Sequence, residues 1–450
     1  KKIAESVKEE VWREVSELID TVFSDGERAG FFDLESVEFL ARDAMHRCGA
    51  SILEKLIEHG GGARGRDDCE CGGRYVAHKH SDKRVRTVLG EVAVKRKVFR
   101  CNSCGDWLVP LDEELDVVKT GFSPGLRRLM SKVGSEVCFD KGRDFLFELA
   151  GVRLTDKDVE RESESVGADV GLREDEKVKP ALEGKNDEDM QEPVETLYIT
   201  ADGTGVPVLR RETEGRRGKA ADGVARSREV KLGAVFTQTS VDDKGRAIRD
   251  PASTSYVGRI ESVDAFGERL YAEGVRRGLN RARLIVVIGD GALWIWNLAA
   301  LHFPWAIQIV DFYHAAEHLA ILARTLYPED EIKRKSFYKR MRKKLKKGKV
   351  EAIVSELRSM KYRGKKKAEV EKTADYFEKN KERMRYDKFR RQGLFIGSGV
   401  VEAGCKSVIG KRLKQSGMHW SVRGANSIIA LRCCLESGRF EDYWEQRQAS

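Results

Sequence analysis

The sequence predicts a multidomain α/β protein, and three features of the 450-residue chain support this prediction. The apolar run Leu284–Ile288 stops at Asp290, after which a helical pattern begins, as expected of a buried strand. The stretch Glu195–Ala201 has a strand pattern that ends in the same way, at Asp202. Two close cysteine pairs precede both strands and indicate a separate small domain.

Composition limits the class of protein. Charged residues make up 35% of the chain and hydrophobic residues 40%, proportions typical of a globular protein. The net charge of +9 permits a nucleic-acid partner but does not demonstrate one. No apolar run is long enough for a membrane span and no signal-peptide pattern occurs, so we expect an intracellular protein. The chain begins with Lys1, so its native start is not assured.

Helical regions flank the cysteine pairs. Residues 1–60 form a predicted N-terminal helical region with Val7, Val11 and Val15 at helical spacing, expected to serve packing or dimerisation. Residues 111–170 return to helix, with a capping box predicted at Thr155-x-x-Asp158. Short helices with tight turns are compatible with a helix-turn-helix DNA reader and equally with a helical bundle that binds no DNA. Residues 171–193 lack periodicity and predict a linker.

A zinc ribbon is predicted for residues 61–110. A hairpin, Val85–Leu89 and Val92–Phe99 joined by Gly90-Glu91, separates the two cysteine pairs. Four thiolates brought together in this way match the tetrahedral preference of a structural Zn²⁺. The first pair has one intervening residue instead of two, so His78 and His80 are alternative ligands, and free buried cysteines remain the other interpretation. The predicted zinc ligands are Cys69, Cys71, Cys101 and Cys104.

The predicted catalytic core occupies residues 194–313 and 393–450. Three strands, a helix, a strand, a helix and a strand follow one another in its first part, which is the element order of the ribonuclease H-like fold. A very basic, all-helical insertion is predicted for residues 314–392, between the two parts. The expected strands are 195–201, 230–239, 255–260, 284–288 and 306–310, and the expected helices are 263–274, 292–301 and 400–414.

Three carboxylates stand out within this core. Asp202 and Asp290 end two strands, at the sheet edge where α/β proteins bind ligands, although Asp290 could equally cap the helix that follows. Glu402 heads a helical stripe that continues through Cys405, Ile409 and Leu413, so we expect it to face the body of the domain. A buried salt bridge to Arg412 or Lys406 is the alternative explanation for Glu402.

Oxygen ligands of this kind suit Mg²⁺ or Mn²⁺. Two such ions, roughly 4 Å apart, stabilise the attacking and leaving oxygens in phosphodiester chemistry. The sequence therefore predicts a two-metal site on Asp202, Asp290 and Glu402.

The sequence resembles DDE transposases of bacterial insertion sequences, and most closely the ISKra4-type family. The resemblance covers about residues 195–443. It depends on four motifs: TADGTGVP at Asp202, VVIGDGALWIW at Asp290, DFYHAAEHL at His314, and GSGVVEAGCKSVIGKRLKQSGMHW at Glu402. Asp311-x-x-His314 is similar to a motif of Mutator- and hAT-like transposases, which implies a place for His314 near the catalytic centre. The alternative is a structural histidine beneath it.

The resemblance implies that metal ions on the three carboxylates support hydrolysis of a phosphodiester at each element end. The freed 3′-hydroxyl then attacks target DNA, without a covalent protein–DNA bond. The implied partners are double-stranded DNA and at least a second copy of the chain, with a cytoplasmic, nucleoid-associated location in a prokaryote. The residues predicted to contact DNA are Lys95, Arg96, Lys97, Arg340, Lys343, Lys344, Lys347, Lys406, Lys411, Arg412, Lys414 and Trp420.

Other interpretations concern individual residues and the whole protein. The charges of the hairpin could form a solvated strand face instead of a phosphate track, and Trp294, Trp296 and Trp420 could be ordinary core residues. A structure-selective nuclease on the same fold would cleave DNA without joining it. A catalytically inactive DNA-binding descendant, or a zinc-ribbon regulator whose carboxylates form salt bridges, would do neither.

Overall fold

A computed structural model describes residues 33–60, 68–185, 193–218 and 222–448, together with helical residues within the stretch 5–20. The predictions for Val7, for residues 61–67 and for residues 186–192 of the linker lie outside the described residues. The chain forms two compact units, residues 1–166 and 167–450. None of the described helices has the length and apolarity required to cross a membrane.

The described part of the first unit contains a three-stranded antiparallel sheet, helices α1 to α4 and the first half of α5. The sheet order is β1-β2-β3, and β1 pairs with β2 from Tyr75↔Cys101 to Thr87↔Gly90. The elements are α1 (Leu34–Gly60), β1 (Tyr75–Thr87), β2 (Gly90–Cys101), β3 (Trp107–Leu108), α2 (Pro110–Glu114), α3 (Pro124–Glu136), α4 (Phe139–Ala150) and α5 (Asp156–Glu176).

Local sequence signals account for most of these boundaries. The Ser123 hydroxyl accepts from Leu126 N–H at 3.3 Å at the start of α3, and Gly151 ends α4 at φ 65°. Thr155 and Asp158 exchange the two bonds of a capping box, at 3.1 and 3.0 Å, so this prediction is confirmed. The hairpin turn is one prediction that was wrong. It lies at residues 88–89, because Thr87 Oγ1 donates to Gly90 O and accepts from Leu89 N–H.

The predicted linker is largely helical. Helix α5 continues to Glu176, and α6 spans Val178–Leu182. Ion pairs stabilise this polar segment, since Asp175 accepts from Arg259 at 2.8 Å and from Arg269 at 2.7 Å. The helix thus depends on distant partners that the local pattern does not contain.

The second unit is built on a five-stranded mixed sheet of order β10-β9-β4-β5-β8. Strands β4, β9 and β10 are parallel, whereas β5 is antiparallel to both of its neighbours, β4 and β8. A small hairpin, β6 and β7, follows β5. The strands are β4 (Val194–Pro207), β5 (Ser227–Gln238), β6 (Ser240–Val241), β7 (Ala247–Ile248), β8 (Ser255–Arg259), β9 (Ala282–Gly289) and β10 (Ile307–Val310).

Helices cover this sheet and fill the long segment between Asp290 and Glu402. The predicted helix over residues 400–414 is interrupted, because its middle part, Cys405–Gly410, is a π-helix. The helices are α7 (Val263–Arg276), α8 (Leu293–His302), α9 (Phe312–Leu326), α10 (Glu331–Lys346), α11 (Val350–Ser359), α12 (Gly364–Lys379), α13 (Tyr386–Arg391), α14 (Gly399–Gly404), α15 (Lys411–Leu413), α16 (Val422–Glu436) and α17 (Phe440–Gln448).

Apolar side chains on both faces of the central strands form the core of the second unit. Val286 and Ile288 of β9 and Tyr198 of β4 have no exposed surface. The same core includes Phe337 and Phe377 of the helical segment, so this segment packs with the sheet as one hydrophobic cluster. A rigid base therefore lies beneath the ends of β4 and β9.

Candidate functional site

Asp202 and Asp290 stand side by side at one edge of the sheet. Parallel strands β4 and β9 pair as far as Thr200↔Ile288, and Asp202 and Asp290 each follow two residues later, Asp290 just beyond the end of β9. Adjacent strands lie about 4.8 Å apart, and residues in register point to the same face. Both carboxylates are partly exposed. Strand β9 ends at Gly289, as predicted, whereas the prediction that a strand ends at Asp202 was wrong, because β4 continues to Pro207 and pairs with β5 over that length.

The electrostatics of Asp202 reflect this pairing. Burial raises the pKa of the Asp202 carboxyl, and the neighbouring Asp290 carboxylate raises it further. Two donors oppose the rise: Gly203 N–H at 2.7 Å from Asp202 Oδ1, and the thiol of Cys405. Burial and the Asp202 charge together raise the pKa of Cys405, so this thiol is protonated and acts as a donor. An added cation would favour the charged form of Asp202.

The Asp290 carboxylate takes part in the local turn without acting as the N-cap residue. Its Oδ1 accepts from Ala292 N–H at 2.8 Å, while the N-cap position of α8 is Ala292 itself, which makes no side-chain cap bond. The hydroxyl of Tyr376 donates to the main-chain oxygen of Asp290 at 3.1 Å. Helix α12 of the helical segment thus fixes the backbone beside this carboxylate.

Glu402 is exposed, so the prediction of an inward-facing side chain was wrong. Ile409 and Leu413 of the same predicted stripe are fully buried. The difference arises because the π-helix over Cys405–Gly410 has more residues per turn than an α-helix, which rotates the residues before it away from the stripe. Glu402 Oε1 instead accepts from the hydroxyl of Ser398 at 3.1 Å.

Helix α14 nevertheless lies close to the two aspartates. It packs on β4 and β5. A Cβ on Gly404 would stand 2.5 Å from Tyr256 Cε1 and 3.1 Å from Leu232 Cδ2, and Leu232 is the β5 residue paired with Asp202. The absent side chain of Gly404 therefore lets the helix approach the sheet at the level of Asp202. Both Asp202 and Glu402 raise the pKa of Cys405, which lies beside them.

The donor set suits a hard divalent cation. Among the described residues, no Lys or Arg forms an ion pair with Asp202, Asp290 or Glu402, so their charges have no internal counterion. The oxygens of these three carboxylates nevertheless do not all lie within 4.8 Å of one another, as the cysteine sulfurs do. In the described part of the chain, the four cysteines are the sole group of three or more possible ligand atoms within 4.8 Å of one another. Two adjacent carboxylates with a third on a neighbouring helix are the type of ligands that Mg²⁺ or Mn²⁺ accepts.

Two histidines of α9 lie next to these carboxylates. A charge on His314 would lower the pKa of Asp202, a smaller effect than the burial that raises it. His318 stacks on Tyr376 with ring centroids 4.0 Å apart. Burial, together with the neighbouring His314, lowers the pKa of His318 to about 4, so His318 is neutral at physiological pH. His318 and Tyr376 were not predicted as site residues, and no local sequence signal marks them.

Asp311 is a further residue that the sequence prediction underestimated. Its carboxylate caps α9, where Oδ1 accepts from His314 N–H at 2.7 Å. The same carboxylate accepts from both the main-chain N–H and the hydroxyl of Ser398. The Asp-x-x-His spacing was interpreted only as a motif resemblance, so neither bond was predicted, and the second depends on the tertiary fold.

The lysines and arginines predicted to contact DNA, other than Arg412, fall into three groups. Some are held by carboxylates: Lys95 by Glu58, Arg96 by Asp112, and Arg340 and Lys344 by Glu356. Lys414 is exposed and its ammonium contacts the hydroxyl of Thr204. The remaining lysines are exposed and have no carboxylate partner among the described residues. They are Lys97, Lys343, Lys347, Lys406 and Lys411.

Arg412 and Trp420 are core residues, so the prediction that they contact DNA was wrong. Arg412 has no exposed surface and its guanidinium lies 5.0 Å from the Trp420 ring centroid. The Trp420 indole N–H donates to Leu413 O at 3.1 Å. Trp296 is likewise buried, beneath Arg383. Tertiary packing has occupied the aromatic faces that base stacking would need.

The four cysteines of the first unit form a cluster that could hold a metal ion such as zinc. All four Sγ atoms lie within 4.8 Å of one another. Cys69 Sγ is 3.7 Å from Cys104 Sγ, and Cys71 Sγ is 3.5 Å from Cys101 Sγ. Main-chain N–H groups of Cys104 and Ser103 lower the pKa of Cys101 to about 6. His78 lies outside the cluster and packs against Trp107, with ring centroids 5.0 Å apart.

Comparisons with known proteins identify a family without an assigned activity. The model of an uncharacterised protein family, UPF0236, matches residues 29–448, and the chain belongs to this family. No curated protein gives a significant match. A solved structure, "Drosophila P element transposase strand transfer complex", aligns with 74% of this chain and 84% of its own at 10% identity and a TM-score of 0.23. A TM-score this low does not establish a common fold.

Proposed function

We propose that this member of the UPF0236 family is a DNA transposase of the DDE type, which cleaves phosphodiester bonds at element ends and joins the freed 3′ ends to target DNA. The observation that carries the proposal is the position of Asp202 and Asp290, each two residues beyond Thr200 and Ile288, the last paired residues of adjacent parallel strands. Glu402 is the third carboxylate, on helix α14, which packs against β4 and β5. The four motifs that resemble ISKra4-type transposases contain these three residues and His314.

The element order also supports the proposal. The strands of the five-stranded sheet and the α-helices between them follow one another as β4, β5, β8, α7, β9, α8 and β10, the order expected of a ribonuclease H-like domain. Helices fill the segment between Asp290 and Glu402, where related transposases carry an all-helical insertion. The proposed fold class therefore agrees with the arrangement of elements as well as with the motifs.

Asp202, Asp290 and Glu402 would hold Mg²⁺ or Mn²⁺, which supply charge stabilisation for the attacking and leaving oxygens of phosphodiester chemistry. The chain's own residues prepare the site. Cys405 and Gly203 donate to Asp202 and limit the penalty of its partial burial. Tyr376 holds the backbone of Asp290. The exposed Glu402 leaves the carboxylates accessible from the solvent side, as a DNA substrate requires.

Joining of DNA ends provides the decisive experiment. Purified full-length protein is incubated with Mn²⁺, a target plasmid and a fragment that carries both ends of the element encoding the chain. We expect cleavage and strand transfer by the wild type, and a loss of at least about 100-fold in Asp202→Asn and Asp290→Asn, since each removes a charge from the proposed site.

Glu195→Gln is the matched control. Glu195 lies at the opposite end of β4, where it forms an exposed ion pair with Arg283. This variant should cleave and join as the wild type does. Full activity of Asp290→Asn would refute the assignment. Cleavage without joining would identify a nuclease, and DNA binding without either step would identify a binding protein.

A further inference from the structure

The Asp311 carboxylate is fully buried, yet no described Lys or Arg pairs with it. Two main-chain N–H groups, and a hydroxyl that it shares with Glu402, satisfy it instead. His314 N–H donates to Oδ1 at 2.7 Å, while the main-chain N–H and the hydroxyl of Ser398 both reach Oδ2, the hydroxyl at 2.9 Å. Because a buried carboxylate without such donors would be costly, these bonds bind the start of α9 firmly to the turn at Ser398.

The Ser398 hydroxyl also reaches the third carboxylate of the proposed site. Its oxygen lies 3.1 Å from Glu402 Oε1. A hydroxyl has a single proton and can donate to one carboxylate at a time. Asp311 Oδ2 keeps the main-chain N–H of Ser398 in either case, so the hydroxyl proton is available to Glu402.

Main-chain bonds connect the same residues to Asp290. Asp311 N–H donates to Gly289 O at 2.7 Å, and Gly289 immediately precedes Asp290. Phe312 N–H donates to Ile396 O at 2.8 Å, and this bond anchors the segment that leads to Ser398. Asp311 is thus fixed to the end of β9 on one side and to the start of α14 on the other.

We propose that Asp311 and Ser398 are positioning residues, which hold the exposed Glu402 side chain at a set place relative to Asp290 and so raise the affinity of the three carboxylates for a divalent cation. The proposal rests on the proposed function. Glu402 lacks the burial that would fix its rotamer, and the Ser398 hydroxyl supplies the missing constraint. Partners of this kind typically change metal affinity by about 10- to 100-fold when removed.

Calorimetric titration of the full-length protein with Mn²⁺ tests the proposal without requiring activity. Ser398→Ala should weaken Mn²⁺ binding about tenfold. In the Glu402→Gln background, Ser398→Ala should cause no further loss, because its effect passes through Glu402. Ser262→Ala is the matched control, since Ser262 also caps a helix, α7, away from the site, and it should bind Mn²⁺ as the wild type does.

Unchanged Mn²⁺ affinity in Ser398→Ala would overturn the proposal, as would an equal loss in the presence and absence of the Glu402 carboxylate. Thermal unfolding of each variant identifies any loss of Mn²⁺ binding that comes from unfolding alone.

The proposed function fails separately. A wild type that binds Mn²⁺ through Asp202 and Asp290 but neither cleaves nor joins DNA would refute the transposase function and leave the positioning role intact. A wild type that joins DNA, with Ser398→Ala unchanged in Mn²⁺ binding, would refute the positioning role alone.

Discussion

Asp202 lies in β4 and Asp290 lies just beyond the end of β9, each two residues after the paired residues Thr200 and Ile288 of these adjacent parallel strands. Two carboxylates at this spacing repel each other, and Asp290 indeed contributes to the raised pKa of Asp202. The protein retains this unfavourable pair without a neighbouring Lys or Arg ion partner among the described residues. A site that binds a cation is expected to be electrostatically costly when it is empty.

This cost gives a prediction for stability. Because burial and Asp290 raise the folded-state pKa of Asp202 above its usual 3.8, the folded protein binds an extra proton between the two pKa values. The free energy of unfolding therefore falls as the pH rises through that window, and the full penalty applies above it. We expect Asp202→Asn to melt at a higher temperature than the wild type at pH 7.5 without divalent ions, and the difference to shrink towards pH 4.

Asp250→Asn is the control, for which we expect the opposite change in melting temperature. Although burial raises the pKa of Asp250, hydrogen bonds from Thr237 and Thr239 lower it overall. Its carboxylate therefore stabilises the fold at neutral pH, and Asp250→Asn should melt at a lower temperature. Excess Mn²⁺ should stabilise the wild type and not Asp202→Asn. A lower melting temperature for Asp202→Asn in metal-free buffer at pH 7.5 would contradict the prediction.

Gly404 provides a test of the close approach between α14 and the sheet. In Gly404→Ala the new Cβ would stand 2.5 Å from Tyr256 Cε1, so either the ring or the helix must move. Overpacking of this kind costs about 1–3 kcal/mol, and displacement of α14 would also shift Glu402. We expect a lower melting temperature and at least a tenfold loss of DNA cleavage, by analogy with the loss of well-oriented groups.

Gly399→Ala, on the same helix, is the matched control, because a Cβ at this position meets no atom within 4 Å. This variant should retain both stability and cleavage. Equal activity of the two alanine variants would show that the approach of α14 to Tyr256 does not matter for the site.

The sequence predicted those parts of the site that depend on short-range patterns. Apolar runs followed by an aspartate predicted the strands that lead to Asp202 and Asp290, although β4 continues past Asp202 to Pro207, and the Thr155–Asp158 spacing predicted a capping box, which the structure contains. The orientation of Glu402 could not be predicted, because extrapolating an α-helical stripe assumes 3.6 residues per turn and the π-helix after Gly404 departs from that value.

Residues that act through tertiary contacts were also beyond the sequence pattern. Trp420 follows a basic segment, a typical context for base stacking, yet its indole N–H binds Leu413 O in the core. Tyr376 has no local signal, since its target, the Asp290 carbonyl, is 86 residues away in the chain. Ion pairs with Glu356 likewise remove Arg340 and Lys344 from the set of free cations on α10.

The cysteine cluster predicts one bound zinc ion per chain. Elemental analysis of the full-length protein should find one equivalent, which Cys101→Ser loses, because four thiolates are needed for a closed structural site. Hydrogen exchange of residues 69–104 should accelerate in the same variant, since metal binding and local folding are coupled. Cys434→Ser, which alters a buried cysteine outside the cluster, should keep its zinc. Zinc-free wild type with slow exchange over residues 69–104 would disprove the prediction.

The contact made by Tyr376 predicts that the helical segment contributes to DNA cleavage. Tyr376→Phe removes the bond to the Asp290 carbonyl and leaves the ring stacked on His318. Loss of one such bond is worth about 1 kcal/mol, so we expect a several-fold decrease in cleavage with little change in melting temperature. Tyr443→Phe is the control, because that hydroxyl donates to Asp169 at 2.7 Å away from the site. If both variants cleave equally well, the segment does not act through Tyr376.

The exposed lysines of the helical segment predict a change in salt dependence. Lys343 and Lys347 are exposed and have no carboxylate partner among the described residues, so each is available to a DNA phosphate. Each phosphate contact adds about 0.9 to the slope of log affinity against log salt concentration, so Lys343→Ala/Lys347→Ala should lower the slope by about 1.8. Any double-stranded fragment suffices, since phosphate contacts are independent of sequence.

Arg340→Ala is the matched control: its guanidinium binds Glu356 at 2.5 Å, so this variant should lose stability and change the slope less. A larger slope change in Arg340→Ala than in the double variant would place the DNA on the Glu356 side of α10 and refute the assignment of Lys343 and Lys347.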